Sequence, residues 1–368
     1  MIKKILFIIA NTNIGGAQRN LIQLATEMSK KYNIYFMILR QEGELSNELK
    51  SFNIEILLIN QKSTYDIKSY IRVFKIIREL EPDIIHTQLF FSNNIARFAK
   101  FLGIYKKVLI SGERTNTFSS PWTKQPLYSI ALFIDKFFSK YTDVIVSNND
   151  ELKENFSLLG YSTANIVIIN NGIELIDIYN NHSEGTDKVF CFVGRLEDVK
   201  NLFFLCDQFA LLANECNNIS LKIVGDGKLY IKLQQYIITK KYKFIYLLGS
   251  LLKTEVYNEI LIADICILPS FYEGFPNTLL EYGLFRKPVI VSNIKGSKIV
   301  INNDDVGYVF DLSKKNDLYH KMKYSLIHYE ESLIKGENLR IRIEKNFSLF
   351  AMIHKFEKLY VKKLKNYE

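Results

Sequence analysis

Two carboxylates stand eight residues apart in Glu273-Gly-Phe-Pro-Asn-Thr-Leu-Leu-Glu281. An apolar run ending in a turn, Ala263-Asp-Ile-Cys-Ile-Leu-Pro-Ser270, comes just before them. Pro276 cannot occupy a helix interior but suits the first turn or the residue before it. The spacing therefore predicts Glu273 on a loop at the carboxyl end of a buried strand, with Glu281 about one turn into the next helix. Ligands of open α/β sheets bind at that end of the strands. The amides of Asn277 and Thr278 would open the helix as an anion site. Taken alone, the pair would also suit two solvated carboxylates on a helix surface.

A second chemical element lies upstream, in Cys191-Phe-Val-Gly-Arg-Leu-Glu-Asp-Val-Lys-Asn201. A strand here runs into Gly194-Arg195, and Lys200-Asn201 are expected to begin a helix. A guanidinium and an ammonium on one loop suit a diphosphate. Without an anion, cations at a helix start oppose its dipole. Ile223-Val-Gly-Asp-Gly227, with Gly225, and Leu247-Leu-Gly-Ser250 follow further strands as tight turns. In the first half, Asn13-Ile-Gly-Gly-Ala-Gln-Arg19 places Gly15 and Gly16 at a strand-to-helix turn, where backbone can approach a ligand closely. The glycine fingerprint of dinucleotide sites is missing and Leu39-Arg40 ends the second strand, so an NAD dehydrogenase ranks last.

Together these elements closely resemble the family 4 retaining glycosyltransferases of the GT-B fold, over essentially the whole chain and most strongly from Val189 to Val309. The resemblance implies an α/β protein of two Rossmann-like domains facing across a cleft. It places Glu273 by the donor sugar, with Gly274, Phe275, Asn277 and Thr278 on the same loop and helix start. Glu281 is implied to hold the ribose, and Arg195 and Lys200 to form a cationic clamp on the diphosphate. The Gly15–Gly16 loop would close over the pyrophosphate and the acceptor, and the loop at Gly249 would lie against the base. Many members carry His-x-His where this chain has His86-Thr-Gln88. His86 is thus a candidate catalytic residue expected to face the cleft, while Gln88 leaves the second histidine's role without a carrier. Glu113-Arg114 is a candidate acceptor contact.

The resemblance further implies a nucleotide diphosphate sugar donor, UDP-linked, and front-side attack in which a donor phosphate oxygen takes the acceptor proton. No Asp-x-Asp occurs in the chain, which accords with metal-independent transfer and no cofactor. The Gly-Phe-Pro-Asn form of the motif points to bacterial surface polysaccharide assembly (capsule, O-antigen or lipopolysaccharide), with a lipid-linked oligosaccharide as acceptor. Two rival readings stay open: a sugar-nucleotide epimerase of the same fold and a non-catalytic partner subunit of a glycosyltransferase complex.

These side chains have to be positioned by two cores, and 368 residues with 48% hydrophobic content, 26 Phe and 22 Tyr are ample for them. Short apolar runs alternate with longer helical patterns, the signature of parallel sheets. Expected strands are Lys4–Ala10, Ile34–Leu39, Ile54–Leu58, Ile84–His86, Val108–Ser111, Val144–Ser147 and Ile166–Ile169. A second series runs Val189–Val193, Leu221–Val224, Ile245–Leu248, Ile265–Leu268, Val289–Val291 and Gly307–Val309. The boundaries read as 1–175 for an acceptor-binding domain, 176–187 for a linker and 188–348 for a nucleotide-sugar domain. Residues 349–368 form a last helix expected to pack back on the first domain.

The formal charge is +9, and between Arg97 and Lys140 eight Lys/Arg meet two acidic residues. Phe98, Phe101, Tyr105, Phe118, Trp122, Tyr128, Phe133 and Phe137 are interleaved with them, and lysines recur in the last residues from Lys355 to Lys365. Such surfaces suit an anionic inner-membrane surface or a phosphorylated lipid carrier. A solvated basic face over core aromatics is the other reading. Nucleic acid lacks any accompanying motif. Cys191, Cys206, Cys216 and Cys266 show no metal or disulfide spacing. The apolar start ends at Ala10 without a cleavage site, and no run is long enough to span a bilayer. The expected location is the cytoplasm, peripheral on the inner membrane face.

Overall fold

The computed structural model describes residues 2–63, 66–113, 126–176 and 187–367. The chain divides into two compact units, Met1–Asn171 with Phe350–Glu368, and Gly172–Leu349. Most of the expected linker, residues 177–186, lies outside the described residues, as do Arg114, Phe118 and Trp122.

The first unit begins β1 (Lys4–Asn11), α1 (Gly16–Met28), β2 (Asn33–Gln41), α2 (Ser46–Ser51), β3 (Glu55–Leu58) and α3 (Ile67–Leu80). It continues β4 (Ile84–Gln88), α4 (Phe90–Phe101), β5 (Val108–Glu113), α5 (Pro126–Ser139), β6 (Val144–Ser147), α6 (Glu151–Leu158) and β7 (Ile166–Ile168). Its strands form one sheet in the order β3-β2-β1-β4-β5-β6-β7, and every neighbouring pair is parallel. Strand runs such as Ile5–Ile9 are fully buried, because helices cover both faces of such a sheet.

The second unit holds β8 (Lys188–Val193), a 3-10 turn (Asp198–Lys200), α7 (Leu202–Ala213), β9 (Ile219–Val224), α8 (Tyr230–Lys240), β10 (Ile245–Gly249) and α9 (Lys253–Ile262). Then follow β11 (Ile265–Leu268), α10 (Asn277–Leu284), β12 (Val289–Ser292), α11 (Lys295–Val300), β13 (Tyr308–Phe310), α12 (Asp317–Ile327) and α13 (Tyr329–Asn346). Its sheet runs β10-β9-β8-β11-β12-β13, also parallel. In both sheets the strand order reverses beside the first strand, at β1/β4 and at β8/β11, and ligand crevices of such sheets lie at the carboxyl ends there.

The last helix, α14 (Leu349–Leu364), belongs with the first unit from Phe350 onward. His86 explains part of that attachment, and its burial corrects the expectation that the ring is open to the cleft. The ring has no exposed surface. Its Nδ1 lies 2.5 Å from the Tyr360 hydroxyl, and it packs between Phe7 and Phe356 at 5.3 and 5.4 Å. Period-two reading aims a strand-end side chain at a face, but only the docked helix decides whether that face is covered.

A buried ion cluster fastens α5. Arg97 on α4 has no exposed surface. It donates through Nη1 to Asp135 Oδ1 at 2.6 Å and through Nε to Thr142 Oγ1 at 2.9 Å. Its Nη2 is 3.5 Å from Glu113 Oε1, which also accepts from Asn93 at 2.7 Å. Tyr161 donates to the other oxygen of Asp135 at 2.9 Å. Two carboxylates thus share one guanidinium. Burial, helped by the charge of Asp135 against the pull of Arg97, pushes Glu113 up to about 7. Among the described residues, no helix is long and apolar enough to cross a membrane.

Glu113 binds its proton more tightly folded than unfolded, so its contribution to stability falls as pH rises from its ordinary 4.5 through about 7. Glu113→Gln keeps the acceptor oxygen and removes the charge. It should raise stability by about 1–3 kcal/mol at pH 8 and bring almost no gain at pH 4.5, read by thermal melts across pH.

Candidate active site

The second unit gathers most of the expected residues at the carboxyl edge of its sheet, and the loops there are tied to one another. Gly194 N–H donates to the Val224 carbonyl at 3.0 Å, Leu196 N–H to Asp226 at 2.9 Å, and Gly225 N–H to Gly249 at 2.8 Å. The loops after β8, β9 and β10 therefore form one hydrogen-bonded row. Gly225 has φ +133°, and a Cβ there would sit 1.9 Å from the Gly194 carbonyl. No side chain fits that approach.

Lys200 and Glu273 meet at the centre of this edge. The ammonium lies 2.5 Å from Glu273 Oε1, with the two side chains only 14% and 12% exposed. The hydroxyl of Ser270, at the end of β11, donates to the same oxygen at 2.6 Å. Ser292, at the end of β12, donates to the Ser270 carbonyl at 2.5 Å. The Phe271 amide reaches back to the Val199 carbonyl at 2.8 Å, so the Lys200 turn and the Glu273 loop are joined through backbone as well. Three strand ends thereby fix one carboxylate.

Lys200 does not begin a helix as expected. It closes the 3-10 turn, and Asn201 adopts φ +57°, a left-handed conformation that Asn tolerates, before α7 starts at Leu202. That extra kink delivers the lysine to Glu273. Arg195 does not join the pair: its guanidinium bonds Glu197 Oε1 at 2.9 Å, with the side chain 79% exposed. An exposed pair of this kind is held weakly, so an anion could draw the guanidinium away at small cost.

Pro276 precedes α10, which opens on Asn277 and Thr278, so their N–H groups stand at its positive end. Glu281 lies on α10, half-buried, about one turn from that end. Phe275 is buried against Phe347 at 5.8 Å between rings, which anchors the loop holding Gly274. Sequence reasoning missed several supports. Tyr282 is fully buried, and its hydroxyl accepts from the Val193 N–H at 2.8 Å, pinning α10 to the end of β8. Ser270 and Ser292 were visible only as polar ends of apolar runs, and nothing in the sequence names their partners.

In the first unit, Gly15 is extended at φ −172° and caps α1, and Gly16 begins it. Neither glycine needs a left-handed backbone, so a close approach, rather than conformational freedom, is what a side chain there would impede. Gln88 is fully buried and donates to the Ala17 carbonyl at 3.2 Å, tying β4 to α1. Glu113 belongs to the buried cluster around Arg97.

Two family models divide the chain between them: Glycosyltransferase Family 4 over residues 14–176, and Glycosyl transferases group 1 over residues 177–342. An Escherichia coli UDP-Gal:alpha-D-GlcNAc-diphosphoundecaprenol alpha-1,3-galactosyltransferase is 25% identical, covering 95% of this chain and 94% of that protein. A Campylobacter jejuni alpha-1,4-N-acetyl-D-galactosaminyltransferase, named for a diNAcBac-PP-undecaprenol-linked substrate, is 26% identical over 93% of this chain and 92% of its own length. Among solved structures, Anabaena HepE in complex with UDP superposes with a TM-score of 0.81 at 15% identity, covering 98% of this chain and 100% of HepE. TarM superposes with 0.79 at 12% identity, covering 98% of this chain and 99% of TarM.

Two parallel α/β units of this kind define the GT-B class of glycosyltransferase folds. Within that class the chain belongs to family 4, the glycosyltransferases that include makers of capsule and O-antigen.

The start of α11 presses on the Glu273 loop so closely that a Cβ at Gly296 would lie 2.0 Å from the Glu273 carbonyl oxygen. Gly296→Ala must displace that loop and should cost about 1–3 kcal/mol in denaturant titrations.

Proposed function

We propose that this chain transfers a hexose-type sugar from a UDP-sugar to a lipid-linked glycan in bacterial surface polysaccharide assembly. Configuration is retained and no metal takes part. The observation that carries the reading is the Lys200–Glu273 pair, shielded from water at the carboxyl edge of the second sheet. The named activities of the Escherichia coli and Campylobacter relatives, both on diphosphoundecaprenol or PP-undecaprenol carriers, support the acceptor class. The former's name pairs UDP-Gal with an α linkage, and a UDP-hexose that starts α and ends α is transferred with retention.

On this reading the bond from the anomeric carbon to the donor phosphate breaks while the acceptor oxygen attacks from the same side. The acceptor proton passes to a donor phosphate oxygen. Negative charge grows on the departing diphosphate, where Lys200 retains further N–H donors beyond the one spent on Glu273. Arg195 swings from Glu197 onto the same phosphates, and the N–H groups opening α10 complete the anion site. Glu273 holds the sugar hydroxyls, Glu281 the ribose, and the loop at Gly249 the base. The first unit binds the acceptor. The protein acts on the cytoplasmic face of the inner membrane.

A panel of sugar nucleotides, read by thermal shift with and without EDTA, tests this directly. A donor at about 100 times its Kd should add about 2.7 kcal/mol of stability. The shift should survive EDTA and collapse in Lys200→Ala. The same variant should lose about 10²–10³-fold in kcat, as loss of one preformed donor to a developing anion does. A shift that requires a divalent metal, or none with any sugar nucleotide, would overturn the reading.

A further inference from the structure

Helix α5 is mounted inside out. A helix on a water-facing surface ordinarily buries its apolar stripe and exposes its charges. Among the described side chains of α5, Asp135 is the buried one, held by Arg97, Asn94 and Tyr161. Four of its large apolar side chains point outward: Ile130 is 57% exposed and Phe133 72%, and Ile134 and Phe137 are also exposed, while Leu132 and Phe138 are half-buried. The end of α4 and the end of α6 extend the same character with Phe101 and Leu158, both exposed. Phe101 packs edge-on to Phe137 at 6.0 Å, so the apolar surface is continuous from α4 to α5. The side of α5 that could have been its soluble face is fixed inward by the ion cluster.

Lysines rim this surface. Lys140 Nζ lies 4.1 Å above the Phe137 ring, and Lys136 is exposed while donating to the Leu159 carbonyl at 2.9 Å. The lysine-rich end of α14 comes to the same region. Lys363 donates to the Asp143 carbonyl at 3.2 Å, and Tyr367 donates to the Asp143 carboxylate at 2.7 Å while accepting from Lys100 at 3.1 Å. Lys362 and Lys365 beside them are exposed. Two basic segments more than 200 residues apart therefore converge on one aromatic face.

We propose that the outer face of α5, with Phe101 and Leu158, is a docking surface for an anionic lipid bilayer. Aromatic and aliphatic side chains enter the headgroup boundary, and the flanking lysines meet the acidic headgroups. Charge decides against a second copy of the chain as the occupant, since a two-fold contact would set these lysines against their own counterparts. The proposal extends the lipid-linked acceptor reading by naming the surface that brings the enzyme to its substrate. Its test needs no transfer reaction.

The full chain is mixed with vesicles of phosphatidylcholine containing phosphatidylglycerol, or of phosphatidylcholine alone, and co-flotation is measured at low and high salt. The wild type should float with the anionic vesicles and lose most of that binding at high salt. Phe133→Ser with Phe137→Ser, and separately Lys136→Glu with Lys140→Glu, should each weaken binding by about tenfold or more. Phe133→Trp should shift its emission to the blue on vesicle addition, which reads insertion without removing an apolar group. Failure of the wild type to bind, or binding unchanged in both double variants, would overturn the proposal. So would a dimer in solution that Phe133→Ser abolishes, which would give the face to a second copy. The thermal shift with UDP on the same preparations reports the donor reading separately. A retained UDP shift with no vesicle binding sinks only the docking surface.

Discussion

An ammonium 2.5 Å from a carboxylate, with little water around either, is the interaction on which the second unit's chemistry turns. Removing both charges from water is costly, and the Coulomb attraction compensates only when geometry is good and the remaining valences are met. The fold supplies the pair's contacts from three strand ends. Ser270 donates to the same carboxylate oxygen as Lys200, Ser292 steadies Ser270, and the turn closing at Lys200 is joined by backbone to the loop that carries Glu273. The pair is thus preformed by the parallel sheet, whose strand ends all emerge on one edge. An anion arriving there meets a positive group already in place, so little reorganisation is needed during reaction.

The first unit carries a different buried charge arrangement, and it acts on surface shape. One guanidinium serves two carboxylates, which leaves Glu113 held toward its protonated form and Asp135 firmly paired. Because Asp135 must face Arg97, the side of α5 that carries Ile130, Phe133, Ile134 and Phe137 is turned outward. The exposed phenylalanines are therefore a consequence of an ion pair, and they sit where the lysines of α4, α5 and α14 converge.

The sequence made the architecture legible to an unusual degree for physical reasons. Strands buried on both faces must be continuously apolar, so runs such as Val144–Ser147 and Ile265–Leu268 have abrupt ends and match the observed bounds. Proline before α10 and glycines at strand ends mark the turns just as firmly. The site was legible where it is local. Glu273, Asn277, Thr278 and Glu281 lie on one loop and the helix it enters, and their places follow from spacing. It was illegible where it depends on contacts distant in the chain. Lys200 meets Glu273 across 73 residues through an asparagine kink that helix periodicity does not report.

His86 marks the same boundary in the first unit. By itself the sequence determined which side chains stand at strand ends, because alternation and turn residues are short-range facts. Two parallel α/β units and the motif residues at their edges follow from that. Tertiary structure alone decided what covers those ends. It set α14 over His86 and drew Asp135 inward so that Phe133 faces out. Each of these depends on a partner 38 to 274 residues away whose approach is fixed by packing and charge, and no local pattern encodes that approach.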